Sequence, residues 1–215
     1  MIPFSWKKGV LWIVFILFLS GGLGYTQEGA EQAISVIQSI TVEEAIRHLR
    51  GDSRKDKLLA IEVLQASGSA DKEVIDALVS CLFEGTLFKK RIAAKTVNDF
   101  WEVRMKSAET LGNIGDPRAL PGLHRALRYE PDYIVKTSIA IAIGKVGEPE
   151  SIPHLARTIE LYMHSSSEVM VVGACVDALG EIRHRDAYYT FYKVYRDCCE
   201  SELRLAAKKA LAKLE

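Results

Sequence analysis

The chain has 215 residues, 48% of them hydrophobic, enough for one globular or repeat domain with a buried core. Its 28 basic residues are balanced by 28 acidic ones, so no global field draws it to nucleic acid or to an anionic surface. That balance excludes classes of protein that bind their targets through bulk charge.

The first predicted element is a targeting segment. Lys7 and Lys8 precede the apolar run Val10–Leu19, and Ser20-Gly21-Gly22-Leu23-Gly24 then supplies the small residues a signal peptidase needs. Residues 1–24 therefore read as a signal peptide, with Gly24 or Thr26 as the last residue removed. The rival reading is an uncleaved anchor, but a span needs roughly 20 apolar residues, and here glycines end the run early. The expected location is the periplasm or cell envelope, with membrane contact only through this transient segment. Loss of Lys7 and Lys8 leaves 26 basic against 28 acidic residues, a mature charge of −2. No cysteine precedes Cys81, so the cleavage site offers none for lipid attachment.

Residues 25–40 read as a tether with some helical spacing at Ala33, Ile34, Ile37 and Ile40. Thr41 and Glu44 then form a capping box, each able to satisfy an orphan amide of the first turn. The helix Val42–Leu49 that follows buries Ala45, Ile46 and Leu49. A second helix spans roughly Arg54–Ala66. A third, roughly Lys72–Phe83, has Asp71 as its cap. This stretch, 41–84, reads as a degenerate repeat. The insert at 85–100 reads as a projecting loop, since insertions in repeat arrays lie on the surface and often on the binding face. It carries Lys89, Lys90, Arg91 and Lys95. Phe100 and Trp101 read as core residues at a helix start, with Trp101 as a partner anchor in the alternative.

From residue 101 a phrase recurs. Val103-Arg104 leads to Leu111-Gly112-Asn113-Ile114-Gly115-Asp116-Pro117, and Val135-Lys136 leads to Ile143-Gly144-Lys145-Val146-Gly147-Glu148-Pro149. Val171-Val172 leads to Leu179-Gly180-Glu181-Ile182, and Leu203-Arg204 to Leu211-Ala212. Between Gly112, Gly144, Gly180 and Ala212 the spacings are 32, 36 and 32 residues. Periods of this size mark stacked supersecondary units. Each unit is predicted as a helix hairpin: glycine ends the first helix in the left-handed conformation, and Asp-Pro or the weaker Glu-Pro starts the second. Arg183-His184-Arg185 breaks this signal, so the third turn is expected to be less regular. At 8, 11 and 15 residues past each anchor stand Leu120, Leu123 and Leu127, then Ile152, Leu155 and Ile159, then Tyr188, Phe191 and Tyr195. These columns are the expected core. The units run 101–130, 131–164 and 165–199, and 200–215 forms a capping helix with Lys208, Lys209 and Lys213 in solvent.

Val-Arg, the alanine-rich helix, Leu-Gly-x-Ile-Gly-Asp-Pro and the leucines after it resemble HEAT-like repeats, particularly the phycobilin-lyase type. The resemblance covers about Phe100–Glu215, and more weakly Thr41–Leu82. It implies an all-α, right-handed α-solenoid. It implies no shared activity, because the repeat residues specify folding. Some proteins with similar repeats hold a di-iron centre through His-Glu pairs. None of His48, His124, His154, His164 and His184 is followed by Glu, so that metal site does not carry over. No cofactor is expected, and no Ser-His-Asp arrangement or phosphate loop stands out.

The surface column is the candidate site. Thirteen residues past the anchors stand Arg125, Arg157 and Lys193, and sixteen past them Arg128, Glu160 and Arg196. With His124, Tyr129, His154, Tyr162, Tyr189 and Tyr192 around them, they read as a basic, aromatic-studded groove for an acidic segment of a partner protein. The alternative is a solvated helix face. The proposed binding residues are Arg125, Arg128, Arg157, Tyr189, Tyr192, Lys193 and Arg196. The expected function is a non-catalytic scaffold, or alternatively a helper subunit of a modifying enzyme. Cys81 and Cys175 read as small core hydrophobes. A Cys175–Cys198 disulfide stays open, and the spacing of the four cysteines, Cys199 included, is no zinc pattern.

Overall fold

The computed structural model describes residues 39–214. The signal segment, and all but the last two residues of the tether, lie outside the described residues. The chain divides into two compact units, with the boundary between Ser69 and Ala70. It falls inside the stretch read as a degenerate repeat. Among the described residues no helix is long and apolar enough to cross a membrane.

In the first unit, α1 (Val42–Leu49) packs against α2 (Arg54–Ser67). The capping box is present: the Glu44 amide donates to Thr41 Oγ1 at 3.2 Å, and the Thr41 amide donates to Glu44 Oε2 at 3.0 Å. Ala45 and Leu49 are buried, while Ile46 is only half-buried. Lys57 is buried as well and donates from Nζ to the Leu49 carbonyl at the end of α1. A cation thus covers carbonyls that the helix itself leaves without partners.

The second unit opens with α3 (Lys72–Cys81), which ends two residues earlier than expected. Asp71 sits at its N-cap in extended conformation, but its side chain makes no capping bond to the helix. Three hairpins follow: α4 (Trp101–Ile114) with α5 (Leu120–Tyr129), α6 (Tyr133–Val146) with α7 (Ile152–Tyr162), and α8 (Val169–Ile182) with α9 (Tyr188–Asp197). A last helix, α10 (Ser201–Leu211), packs on α9 and α8. The first helices α4, α6 and α8 lie side by side. The two glycines of the repeated phrase have different jobs. Gly115 and Gly147 end α4 and α6 with φ of 70° and 79°. Gly112 instead lies so near α6 that a Cβ there would come within 2.7 Å of Ala142 Cα, and Gly144 meets Ala178 of α8 in the same way. In-register glycines therefore set the closeness of the stack.

The third turn departs from expectation in the opposite sense to the one anticipated. Arg183 adopts the left-handed conformation (φ 50°) in place of glycine, and His184 caps the next turn through Nδ1, so the geometry survives the loss of the motif. The tyrosine column does not survive. Leu120, Leu123, Leu127, Ile152, Leu155, Ile159 and Phe191 are buried, but Tyr188 and Tyr195 are 49% and 43% exposed. Their equivalents in α5 and α7 are covered within a stack that continues, whereas no second helix follows α9 among the described residues.

The insert is a β-hairpin rather than a plain loop. β1 (Arg91–Ile92) pairs antiparallel with β2 (Lys95–Thr96), and Ala93 and Ala94 make the turn with φ of 48° and 65°. Positive φ at both central residues is the pattern that matches strand twist, but non-glycine residues adopt it at about 1–2 kcal/mol each. Trp101 is 39% exposed at the start of α4, not core. The base of the hairpin is tight: a Cβ on Gly85 would stand 2.5 Å from Asp99 Cα. Buried Arg104 holds this base. It donates to the Glu84 carbonyl at 3.0 Å and to Asp99 at 2.7 Å, and it takes Glu130 bidentately at 2.9 and 3.1 Å. Burial opposes its charge, yet the bonds to Glu130 and Asp99 hold its pKa above the ordinary arginine value.

Candidate functional site

Two second helices, α5 and α7, frame an open groove of about 730 Å³. Its cationic lining is Arg125, Arg128 and Arg157, all exposed, and Glu150 is the one carboxylate among the lining residues. Leu161, Tyr129 and Tyr162 supply apolar and aromatic surface. The Arg125 guanidinium lies 5.4 Å from the ring centroid of Phe83, and that of Arg128 lies 5.4 Å from Tyr129. Stacking of this kind orients a guanidinium plane while leaving its N–H groups for an anion. Arg157 makes no ion pair among the described residues.

The remaining four residues of the column are placed elsewhere. Tyr189, Tyr192, Lys193 and Arg196 all lie on α9, outside the lining of this groove. Lys193 donates to Glu160 at 2.7 Å, and Arg196 pairs with its own neighbour Asp197 at 2.6 Å beneath the Tyr192 ring. Hydrogen bonding to Glu160 raises the Lys193 pKa, and hydrogen bonding to Asp197 raises that of Arg196. Hence the sixteenth-position residue decides each groove. Glu160 neutralises the Lys193 that follows it in register, while Arg128 adds to the charge of Arg157.

Sequence reasoning placed His124 and His154 near the column but missed their relation. The rings stack with centroids 3.9 Å apart and planes 12° apart, and His124 Nε2 is 2.9 Å from Ser151 Oγ. Burial, and then the neighbouring His154, lower the His124 pKa to about 4. His124 is therefore neutral at physiological pH. Ser151 is fully buried, so the bond orients the ring rather than exposing a nucleophile to the groove. The two histidines stand at different positions past their anchors, 12 and 10, and no repeat signal could have paired them.

Lys136 occupies in its repeat the place of Arg104. It is buried and donates to the Tyr162 hydroxyl at 2.9 Å, so the groove wall is braced from beneath. All four cysteines are free thiols. Cys81, Cys175 and Cys198 are buried and Cys199 is exposed. Burial pushes the Cys175 thiol up to about 12, as befits a small core hydrophobe. The disulfide left open between Cys175 and Cys198 is not formed. Among the described residues no group of three or more His, Cys, Asp or Glu side chains is placed to hold a metal ion.

Stacked antiparallel hairpins with in-register cores define an α-solenoid. A family model described as HEAT repeats matches residues 88–161, which span most of the insert and nearly all of the two hairpins that frame the groove. The fold is also similar to a solved complex of CpcE and CpcF of phycocyanin lyase from Nostoc sp. PCC7120. The TM-score is 0.64 and the identity 22%, over 82% of this chain and 65% of that one. The chain thus spans just under two thirds of that protein's length. No protein of curated function matches the sequence. The match at residues 88–161 and the likeness in fold agree on a solenoid of HEAT-like repeats.

Proposed function

We propose that this chain is an exported HEAT-like scaffold that binds an acidic segment of a partner protein in the α5–α7 groove and has no catalysis of its own. The observation that carries this reading is the groove's charge: three arginines against one carboxylate, flanked by tyrosines and an exposed leucine. Arginines pre-oriented on aromatic rings suit carboxylates, and aromatic surface beside them suits interface contacts. The chemistry on offer is recognition. Export rests on the sequence pattern of residues 1–24, and the envelope is where this reading places the partner.

A second reading has its own support. The similar solved structure is a complex of lyase subunits, and a helper subunit of a modifying enzyme would use the same groove to grip its companion. Envelope pull-downs separate the two: a recurrent enzyme partner that loses activity without this chain favours the helper.

The binding test uses an oligo-glutamate peptide. Its affinity is expected to fall about tenfold in Arg157→Glu and to stay unchanged in Lys213→Glu on the terminal helix, with both melting curves at the parent's. Equal affinities would return the groove to a solvated surface.

A further inference from the structure

The hairpin at 85–98 takes no part in the groove, and its composition is unlike the rest of the chain. Fourteen residues carry Lys89, Lys90, Arg91 and Lys95 and no acid. Among these cations the chain exposes apolar side chains instead of burying them. Phe88 is 57% exposed and Ile92 61%, with Val97 also in solvent. Trp101 stands partly exposed at the start of the helix that leaves the hairpin.

The projection is held rather than left loose. Asn98 staples the stem, accepting from the Lys90 amide at 2.8 Å and donating to the Phe88 carbonyl at 2.8 Å. Phe88 keeps an edge contact with Phe83 at 5.7 Å. Arg104 ties the entrance carbonyl of Glu84 to the exit carboxylate of Asp99. Two alanines accept positive φ at the tip. Such fixation of an exposed apolar element, against both solvent and backbone preference, points to an occupied surface.

We propose that this hairpin docks on an anionic lipid bilayer. Three features choose a bilayer over an acidic peptide. The element projects outward from its clamp, whereas peptide capture needs a concave seat such as the α5–α7 groove. Its apolar residues are interleaved with cations, so the former enter the acyl boundary while the latter meet headgroup phosphates. Tryptophan beside such an element favours the headgroup level. On the export reading proposed above, the apolar run at residues 10–19 also brings the chain to a membrane. The balance of 28 basic and 28 acidic residues over the whole chain confines the attraction to this patch.

The full chain is mixed with vesicles of phosphatidylcholine alone or with phosphatidylglycerol added, and hydrogen exchange is read at residues 86–97. That local readout separates the hairpin from any partition of residues 10–19. Slowed exchange in the hairpin is expected with phosphatidylglycerol and not without it. Lys89→Glu, Arg91→Glu and Lys95→Glu together reverse exposed charges and leave the melting curve unchanged. Each basic residue near an anionic surface contributes about fivefold, so the triple variant loses hairpin protection and needs at least about 100-fold more lipid to regain it. Ile92→Ser weakens protection without changing its salt dependence. The proposal is overturned if phosphatidylglycerol vesicles leave hairpin exchange unchanged, or if the triple variant is protected as well as the parent. Protection by an oligo-glutamate peptide in place of vesicles would also overturn it and assign the hairpin to a protein partner.

Discussion

The spaces between α5 and α7 and between α7 and α9 are built from the same register positions of adjacent repeats, yet they differ in charge. In the first, Arg128 stands where Glu160 stands in the second, so Arg157 has no carboxylate partner among the described residues while Lys193 is paired with Glu160 at 2.7 Å. Buried positions show the reverse behaviour: Leu123, Leu155 and Phe191 are all fully buried at the eleventh place past the anchor. Repetition constrains what each hairpin buries against its neighbour, and it leaves the outward charges free. A binding site in a repeat protein is therefore found where neighbouring repeats disagree.

The largest expected effect lies in the same comparison carried into the core. Arg104 and Lys136 are register equivalents, but only Arg104 faces a buried carboxylate. Arg104→Ala removes the guanidinium that the buried Glu130 carboxylate holds bidentately, leaving it the Asp132 amide at 3.1 Å, and should cost about 3–5 kcal/mol. Chemical denaturation measures it, and a cost under 1 kcal/mol would mean that the cluster does not hold the hairpin base. The apolar columns give the next contrast. Leu155→Ala should cost about 2–5 kcal/mol through lost burial and a cavity. Tyr188→Ala, at a position otherwise equivalent to Ile152, should cost less than about 1 kcal/mol because half its surface is already wet. Equal costs would show that α9 is covered after all.

The columns were legible because a buried side chain answers to the repeat period, and the caps because Thr41 with Glu44, and Asp116 with Pro117, act over a few residues. Tyr188 and Tyr195 were misread because their burial depends on a neighbouring helix, not on their own spacing. Arg104 passed as an ordinary repeat residue, since its partners Asp99 and Glu130 lie on other elements. Arg183 shows a limit of another kind: a turn can keep its geometry when its signature residue is gone. Of the seven proposed site residues, three line one groove. The division between them and the α9 residues was already written at position sixteen in the signs of Arg128 and Glu160, although the histidine stack beside them was not.

That stack sharpens the comparison through pH, because only the α5–α7 groove contains it. His124 has a folded pKa of about 4, below its unfolded value near 6.5. Between these values the unfolded chain binds more protons, so stability is complete above pH 6.5 and declines as pH falls towards 4. The loss should reach about 1–3 kcal/mol. His124→Gln should flatten this part of the stability profile, and an unchanged slope would place the burden on other groups.

The most direct test of the central claim compares two members of one register column. Oligo-glutamate affinity is measured for Arg157→Glu and for Lys193→Glu at physiological salt. The difference in charge environment predicts about a tenfold loss for Arg157→Glu. Little change is expected for Lys193→Glu, because Glu160 already occupies its ammonium. Equal losses, or a larger one at Lys193, would contradict the claim that the α5–α7 groove alone is open to an acidic partner.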